Sequence, residues 1–227
     1  MHIEPGVVDG AKIVLSYATA TGAFGLAGKM AWDTVKTDKG FASLLARSLI
    51  TTALVFSFFE ILPHYPVGVS EVHFILGSTL LLIFGSGAAA IGLAFGLLLQ
   101  GVFFAPSDLP QYGINVTTLL IPLYAMSLLA RKVIPEKTAY KDVKYSQALA
   151  LSTSYQAGIV AWVAFWAFYG RGFGAENLAN VSLFGASYLT VIIVEPLLDL
   201  AVLAVAKNFE RFKDSLLLGN RLYSPAS

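Results

Sequence analysis

The fold of this chain is decided by its central stretch, residues 74–104, which reads FILGSTLLLIFGSGAAAIGLAFGLLLQGVFF. The stretch contains no Asp, Glu, Lys or Arg. A helix that crosses a bilayer needs about 20 mostly apolar residues, and this stretch is longer than one such span. Gly85-Ser86-Gly87, near its middle, favours a turn over a continuing helix. We therefore predict two helices here, both within a membrane.

The composition of the whole chain supports the same environment. Hydrophobic residues make up 56% of the 227 residues and charged residues 13%, and the mean hydropathy is +0.71. An ordinary soluble domain carries about 25% charged residues. The chain is thus predicted to be an all-α integral membrane protein, surrounded by the lipid bilayer and without a nucleic-acid partner. The absence of cysteine excludes thiolate metal sites and disulfides.

Apolar stretches flank the central one on both sides and bring the expected number of transmembrane helices to seven. They are residues 11–28, 44–62, 115–130, 149–169 and 182–206. The chain is expected to form one transmembrane substrate-binding domain, 1–227, with a metal-binding amino-terminal segment, 1–10, and a cytoplasmic tail, 207–227.

The distribution of Lys and Arg predicts the orientation. Basic residues cluster after the first, fifth and seventh spans, most densely between Arg131 and Lys144. Cytoplasmic loops carry this excess, and only seven spans place all three clusters on one side. We expect the amino terminus outside and folded into the bundle, the carboxyl terminus in the cytoplasm, and the chain in the inner cell membrane of a prokaryote.

The first two residues, Met1 and His2, offer three nitrogens to one cation. The terminal amine, the amide nitrogen of His2 and its imidazole can close fused chelate rings, a planar nitrogen set that suits Cu(II) or Ni(II). Residues 1–10 contain no Lys or Arg, unlike a secretory signal, so this segment is expected to be retained.

The two other histidines are expected at the same outer face. His73 lies at the start of an apolar helix, where an ionisable side chain is expensive unless it has a function. We predict that it is the fourth metal ligand, with Glu71 fixing its tautomer by a hydrogen bond from outside the ligand set. His64 is expected to be a solvated loop residue.

These residues carry a resemblance to a known family. The start Met1-His2-Ile3 with its acidic Pro-Gly turn, the segment 68–73 and the run from Leu97 to Asn115 resemble the substrate-binding membrane subunit (S component, CbiM/NikM-like) of cobalt and nickel energy-coupling-factor ABC transporters. The resemblance covers the chain from Met1 to about Met126. Val72 stands where the family has Cys.

The resemblance implies a ligand set, a substrate and partners. The metal would be held by Met1, His2 and His73, and Asn115 would brace the inserted amino terminus. Ni(II) or Co(II) would be the transported substrate, and no cofactor is implied. A coupling transmembrane subunit and cytoplasmic ATPase subunits would be the partners, since no phosphate-binding Gly-rich loop with Lys and Ser or Thr occurs in this chain.

Other interpretations stay open beside this one. The chain could be a metal-independent membrane scaffold or an S component for an organic micronutrient, with Met1-His2 accidental. Alternatively it is a metal-dependent intramembrane enzyme, with Glu71 or Glu195 as general base. We expect a transporter subunit rather than an enzyme, because no paired acid-base motif accompanies the histidines.

Two further features have more than one interpretation. Glu195 and Asp199 lie in the last span, where carboxylates must face protein or water; pairing with a basic residue or a neighbouring helix is expected, and a role on the metal's exit route is the alternative. Ala18, Gly22 and Gly25 have the spacing that lets membrane helices approach closely, either within the chain or against a partner.

Overall fold

The computed structural model describes residues 2–225, and most of them are helical. Seven helices of eight residues or more are joined by short connections, with one hairpin and a last helical turn. The elements are α1 (Val14–Thr37), α2 (Gly40–Glu60), β1 (Tyr65–Val67), β2 (Ser70–Val72), α3 (Gly77–Phe84), α4 (Ser86–Phe103), α5 (Tyr112–Val133), α6 (Tyr145–Arg171), α7 (Ala175–Lys207) and α8 (Asn220–Tyr223).

Five helices of the described chain are long and apolar enough to cross a membrane: α2, α4, α5 together with the 3-10 turn before it, α6 and α7. The protein is therefore a multi-pass membrane protein. Helix α1 has 24 residues but falls outside this set. Helix α3 has eight residues, about 12 Å of helix, and is too short to cross alone. The count of seven spans and their orientation stay predictions.

The break in the central stretch lies where the sequence predicts it. Gly85 separates α3 from α4 and has a φ of 84°, a conformation that L side chains rarely adopt. A Cβ built on Gly85 would lie 3.3 Å from a guanidinium nitrogen of Arg47. The prediction of two helices is confirmed, although the first of them is only a half-length helix.

Helix α4 occupies the centre of the bundle and packs closely on α2. A Cβ on Gly96 would lie 2.6 Å from Val55 Cγ1, so only glycine permits this approach. One turn earlier the Thr51 hydroxyl donates to the Ala88 carbonyl at 2.7 Å. Close approach of small residues, with hydroxyl groups bonding across helices, is how membrane helices associate.

The small residues of α1 lie on two faces of the helix. Ala23 and Ala27 are buried in the core, whereas Ala18, Gly22 and Gly25 are exposed, and no neighbouring element of the described chain lies within 4 Å of a Cβ built on either glycine. Packing within the described chain therefore does not explain why this exposed face of α1 carries small residues.

The segment that follows α7 folds back over the helix ends opposite the hairpin. The Gly219 N–H donates to the Ile83 carbonyl at 2.8 Å, and the Asn220 N–H donates to the Asp38 carboxylate at 2.8 Å. Asp38 also accepts from Arg47, a fully buried residue, at 2.6 Å. These bonds join the carboxyl-terminal segment to the break between α3 and α4.

Candidate metal site

The amino-terminal segment docks on the β-hairpin that precedes α3. Ile3 forms an antiparallel bridge with Ser70, and the Glu4 N–H donates to the Val69 carbonyl at 3.0 Å. The carbonyl of His2 accepts from the Glu71 N–H at 3.0 Å and from the Ser70 hydroxyl at 2.8 Å. The segment thus extends the hairpin as a short third strand, which fixes the backbone from His2 to Glu4.

Helix α5 holds the same segment from the other side. The Ile3 N–H donates to the side-chain oxygen of Asn115 at 2.9 Å, and both residues are buried, with 1% and 2% exposure. Ile3 therefore has its backbone N–H satisfied in an interior where an unpaired donor would be costly. Asn115 thus holds the segment that carries His2 by a bond to Ile3, the residue next to His2.

Three potential ligands converge where the segment, the hairpin and the loop before α3 meet. One oxygen of Glu71, Oε2, lies 2.9 Å from His2 Nδ1 and 2.9 Å from His73 Nε2. The three side chains offer ligand atoms that all lie within 4.8 Å of one another. Met1, the other predicted ligand, lies outside the described residues.

The two imidazoles are buried and favour their neutral forms. Burial lowers the pKa of His2, and it lowers the pKa of His73 well below the usual range. A carboxylate only accepts hydrogen bonds, so each neutral ring turns its N–H toward Glu71. Neutral imidazole is the form that binds metal ions. Both rings are also lined by Phe59, whose centroid lies 5.8 Å from that of His2 and 5.4 Å from that of His73.

Glu71 is ionised in this arrangement. Burial alone would raise its pKa, but hydrogen bonds from the rings of His2 and His73 outweigh it and hold the pKa of the carboxyl well below its usual range. The side chain is 24% exposed, so it connects the buried rings with the surface of the protein. The cluster therefore combines two neutral nitrogen donors with one negative oxygen donor.

Two further carboxylates lie close enough to influence this cluster. Burial raises the pKa of Glu4, and the negative charge of Glu71 raises it further. The other carboxylate is that of Asp108, whose charge acts on His2. A cavity of about 10 Å³ is lined by His2, Asp108 and Asn115 among others, room for about one water molecule. Grouped negative charge in a cleft raises the local concentration of cations.

Comparison with known proteins identifies the family to which this chain belongs. The family model of the cobalt uptake substrate-specific transmembrane region, CbiM, matches residues 2–211. The chain belongs to this family. The family resemblance seen in the sequence is thereby confirmed, and it extends well beyond Met126. As a member of the cobalt-uptake family, the protein is a membrane transport component and not an enzyme.

A solved structure has a fold similar to that of this member of the cobalt-uptake family. A chain described as a transition metal transporter superposes with a TM-score of 0.68 over 93% of this chain and 94% of its own length, at 17% identity. At that identity the likeness concerns the fold alone. No curated protein matches this chain.

The third histidine, His64, is half-buried and lies beside the cluster of His2, Glu71 and His73. The ring of His64 stacks on that of His73, with centroids 5.1 Å apart and planes 15° apart. Its Nδ1 lies 3.2 Å from the Leu62 carbonyl oxygen. Because the two rings are stacked face to face, His64 covers His73 and is not one of the three converging ligands.

Helix α7 supports the loop that carries His73, a role that sequence reasoning missed. One oxygen of Glu195 accepts the N–H of Leu76 at 2.8 Å and that of Ile75 at 3.3 Å. The other oxygen accepts from Ser152 and Gln156 at 3.2 and 2.6 Å. The expected partner was a basic residue or a neighbouring helix, and Glu195 does bond to a neighbouring helix, α6. Its other oxygen also caps the amino end of α3, whose N-cap residue Leu76 has a φ of 53°.

Asp199, one turn further along α7, also bonds to α3. Its carboxylate accepts the hydroxyl of Thr79. The exit-route role considered for Glu195 and Asp199 stays a prediction. Four donors already surround the Glu195 carboxylate, and an acceptor engaged in this way is poorly placed to act as a general base.

Proposed function

We propose that this chain is the substrate-capture subunit of an energy-coupling-factor transporter that imports Ni(II) or Co(II). The protein binds the ion at the outer face of the membrane and releases it inward, while separate ATPase subunits supply the energy. The ion is cargo, and the chain needs no resident cofactor. The observation that carries this proposal is the convergence of His2 with Glu71 and His73, from two segments distant in sequence, on one point.

The proposed ligand set is Met1, His2 and His73. Docking of residues 2–4 on the hairpin supports it, because the bonds at Ile3 and Glu4 hold the start of the chain beside His73. The amine of Met1 and the amide nitrogen of His2 would then join the ring nitrogens. Asn115 braces the inserted segment through Ile3, which is the role that the resemblance assigned to it.

The proposed topology has seven transmembrane segments in one domain, with the amino terminus outside and the carboxyl terminus in the cytoplasm of a prokaryotic cell. The arrangement of the helix ends supports it. Lys36, Lys39, Arg131 and Lys144 lie at the ends of α1, α2, α5 and α6 that point away from the hairpin. The histidine cluster lies at the opposite ends, as expected if ions are captured outside and basic residues stay inside.

The proposed partners are a coupling transmembrane subunit and a pair of cytoplasmic ATPases. The exposed face of α1 formed by Ala18, Gly22 and Gly25 supports a contact with another membrane helix, because small residues permit close approach. Gly22→Leu should weaken co-purification of the coupling subunit and leave metal binding intact. Phe24→Leu, an exposed position on another side of α1, is the matched control.

The first experiment measures metal binding by the purified full chain. Metal content and calorimetry with Ni(II), Co(II), Cu(II) and Zn(II) are compared for the parent, His2→Ala and His73→Ala. Stoichiometric Ni(II) or Co(II) binding that both substitutions abolish would support the proposal. His64→Ala is the control histidine and should keep stoichiometric binding, since its ring is not among the converging ligands.

A second arm tests Met1. One residue added ahead of Met1 moves the terminal amine away from His2 and should abolish tight binding if that amine is a ligand. Absence of binding in the parent and in every variant would overturn the capture function and favour the scaffold or the organic-micronutrient carrier.

A further inference from the structure

The position of Glu71 between the two imidazoles is unusual for a residue that only orients a ligand. A residue that orients a histidine ligand without binding the metal bonds the nitrogen of the imidazole ring that faces away from the metal. Glu71 instead bonds both rings through the same oxygen, at 2.9 Å each. Its carboxylate therefore lies between the ring edges that point toward each other. An ion bound at His2 Nδ1 and His73 Nε2 would replace the two ring protons there, and each neutral ring would carry its proton on its other nitrogen, His2 Nε2 or His73 Nδ1.

We propose that Glu71 is itself a ligand of the captured ion, and that the site selects a divalent transition-metal ion that accepts five or six mixed nitrogen and oxygen ligands. Co(II) is such an ion, whereas Ni(II) and Cu(II) in a plane of four nitrogens are not. This inference rests on the proposed capture function of the same site and names the coordination chemistry of its substrate.

The distances agree with direct coordination. Two ligands bonded at about 2.1 Å and at right angles around a metal lie about 3.0 Å apart, and ligands opposite each other lie about 4.2 Å apart. The Glu71 oxygen lies 2.9 Å from each ring nitrogen, and all three ligand atoms lie within 4.8 Å of one another. Shifts of well under about 1 Å would bring the three to one ion.

Charge favours the same arrangement. His2 and His73 are 2% and 1% exposed, and neutral imidazoles with one deprotonated amide nitrogen would leave part of the charge of a divalent ion uncompensated. An uncompensated charge in a buried site is expensive. The carboxylate of Glu71, 24% exposed in the side chain, supplies the nearest negative charge and reaches the outer surface from which the ion arrives.

The ligand chemistry sets the selectivity. Nitrogen-only planar sets favour Cu(II) and Ni(II), whereas two histidines with one carboxylate are typical of sites for ions with open five- or six-coordinate geometry. Replacing Glu71 should therefore change which ion is preferred, and not only how tightly every ion is held.

The experiment loads the purified full chain with Ni(II) or Co(II) and records the visible spectrum, the magnetic susceptibility and the affinity. The variants are Glu71→Gln and Glu71→Ala. Glu4→Gln is the matched control, because it removes a nearby carboxylate whose side chain bonds neither ring. The parent with Ni(II) should be paramagnetic with weak bands. Both Glu71 variants should become diamagnetic with the intense band of planar nickel, and the control should keep the spectrum and the magnetism of the parent.

The affinities provide the second readout. Co(II) binding by the Glu71 variants should weaken by more than the roughly 10- to 100-fold that loss of an outer hydrogen-bond partner costs, while Cu(II) binding should weaken less. Equal weakening of all ions with unchanged spectra and magnetism would show that Glu71 only orients the rings, and would overturn the inference. If Glu71→Ala does not elute as a folded monodisperse species, Glu71→Gln, which keeps the shape of the side chain, decides the question.

The same experiment separates this inference from the function on which it rests. If the parent binds no divalent ion at all, both are wrong. If the parent binds diamagnetic planar nickel that needs His2 and His73, the capture function holds and only the role of Glu71 is overturned.

Discussion

The backbone N–H of Ile3 donates a hydrogen bond to the side-chain oxygen of Asn115 at 2.9 Å. The two residues are far apart in the chain, one in the amino-terminal segment and the other in the first turn of α5. This bond ties the segment that carries His2 to the rigid helical bundle. The position of the His2 ring therefore depends on a residue that contacts no part of that ring.

Asn115→Ala should weaken metal binding without removing a ligand. The substitution leaves the buried Ile3 N–H unpaired, and we expect a loss of roughly 10- to 100-fold in Ni(II) or Co(II) affinity, as for other residues that position ligands. Calorimetry measures it. Asn115→Asp keeps an acceptor oxygen and should retain more affinity than the alanine variant. Thr118→Ala, on the same helix and bonded only to its own helix, should bind like the parent.

Acidification should release the amino-terminal segment of the metal-free protein. The pKa values of His2 and His73 are lowered by folding, so below the ordinary histidine value of about 6.5 the unfolded or undocked segment binds more protons than the docked one. The docked state is thus favoured above that pH and loses stability as the pH falls through it. The lowered pKa of Glu71 acts in the same direction at lower pH.

Hydrogen exchange measured by mass spectrometry checks this pH dependence. Protection of the Ile3 and Glu4 amides, corrected for the intrinsic rate, should fall between about pH 7.5 and about pH 5.5. Amides within α5 serve as the internal control and should stay protected. Equal protection of Ile3 and Glu4 throughout this range would contradict the prediction.

Glu195→Ala should destabilise the loop that carries His73. The substitution leaves the N–H groups of Ile75 and Leu76 without their acceptor in the membrane interior, which costs roughly 1–3 kcal/mol for each unpaired group. We expect a lower melting temperature in detergent and weaker metal binding. Thr190→Ala, exposed on the same helix, is the control. Unchanged binding by a folded Glu195→Ala variant would show that the loop holds His73 without α7.

Arg47 should be essential for stability at the end of the bundle away from the histidines. Its guanidinium is fully buried and donates to Asp38 and to the Phe84 carbonyl at 2.6 Å each. Arg47→Ala leaves Asp38 without its counter-charge, and breaking a buried pair costs about 3–5 kcal/mol. The exposed pair of Lys29 and Asp33 is the control, because Lys29→Ala should cost under about 1 kcal/mol.

Melting temperatures of the two variants in detergent measure the difference. Arg47→Lys should recover only part of the loss, since an ammonium cannot reproduce the planar fork of the guanidinium. Similar melting temperatures for Arg47→Ala and Lys29→Ala would contradict the conclusion that the buried Arg47 stabilises the helix break at Gly85.

Local patterns predicted the parts of this fold that depend on nearby residues. The break at Gly85 follows from a conformation that glycine adopts readily, and the apolar helices follow from hydropathy alone. Hydropathy could not predict that α3 would begin only at Gly77 and therefore have only eight residues. The residues before α3 form a hairpin instead, because that hairpin accepts the amino-terminal segment as a further strand, a pairing between distant parts of the chain.

The candidate site likewise combines residues that the sequence predicted with contacts that only the tertiary structure shows. His2, His73 and Asn115 could be chosen from the sequence, since their types and positions resemble those of a known family. Glu195 was noticed only as a carboxylate that needs partners in a membrane. Its acceptance of two backbone N–H groups before α3 depends on where α7 lies relative to α3, and no local pattern contains that information.

The sequence by itself determined that this is an apolar, helical membrane protein, because hydropathy and glycine placement act over a few residues. It also indicated a nitrogen-rich start and a second histidine at the outer face. Only the tertiary structure decided that Glu71 lies between the two rings. Two segments distant in sequence, the one with His2 and the one with Glu71 and His73, must dock before one carboxylate oxygen can contact both imidazoles. Such docking depends on hydrogen bonds and packing between distant parts of the chain.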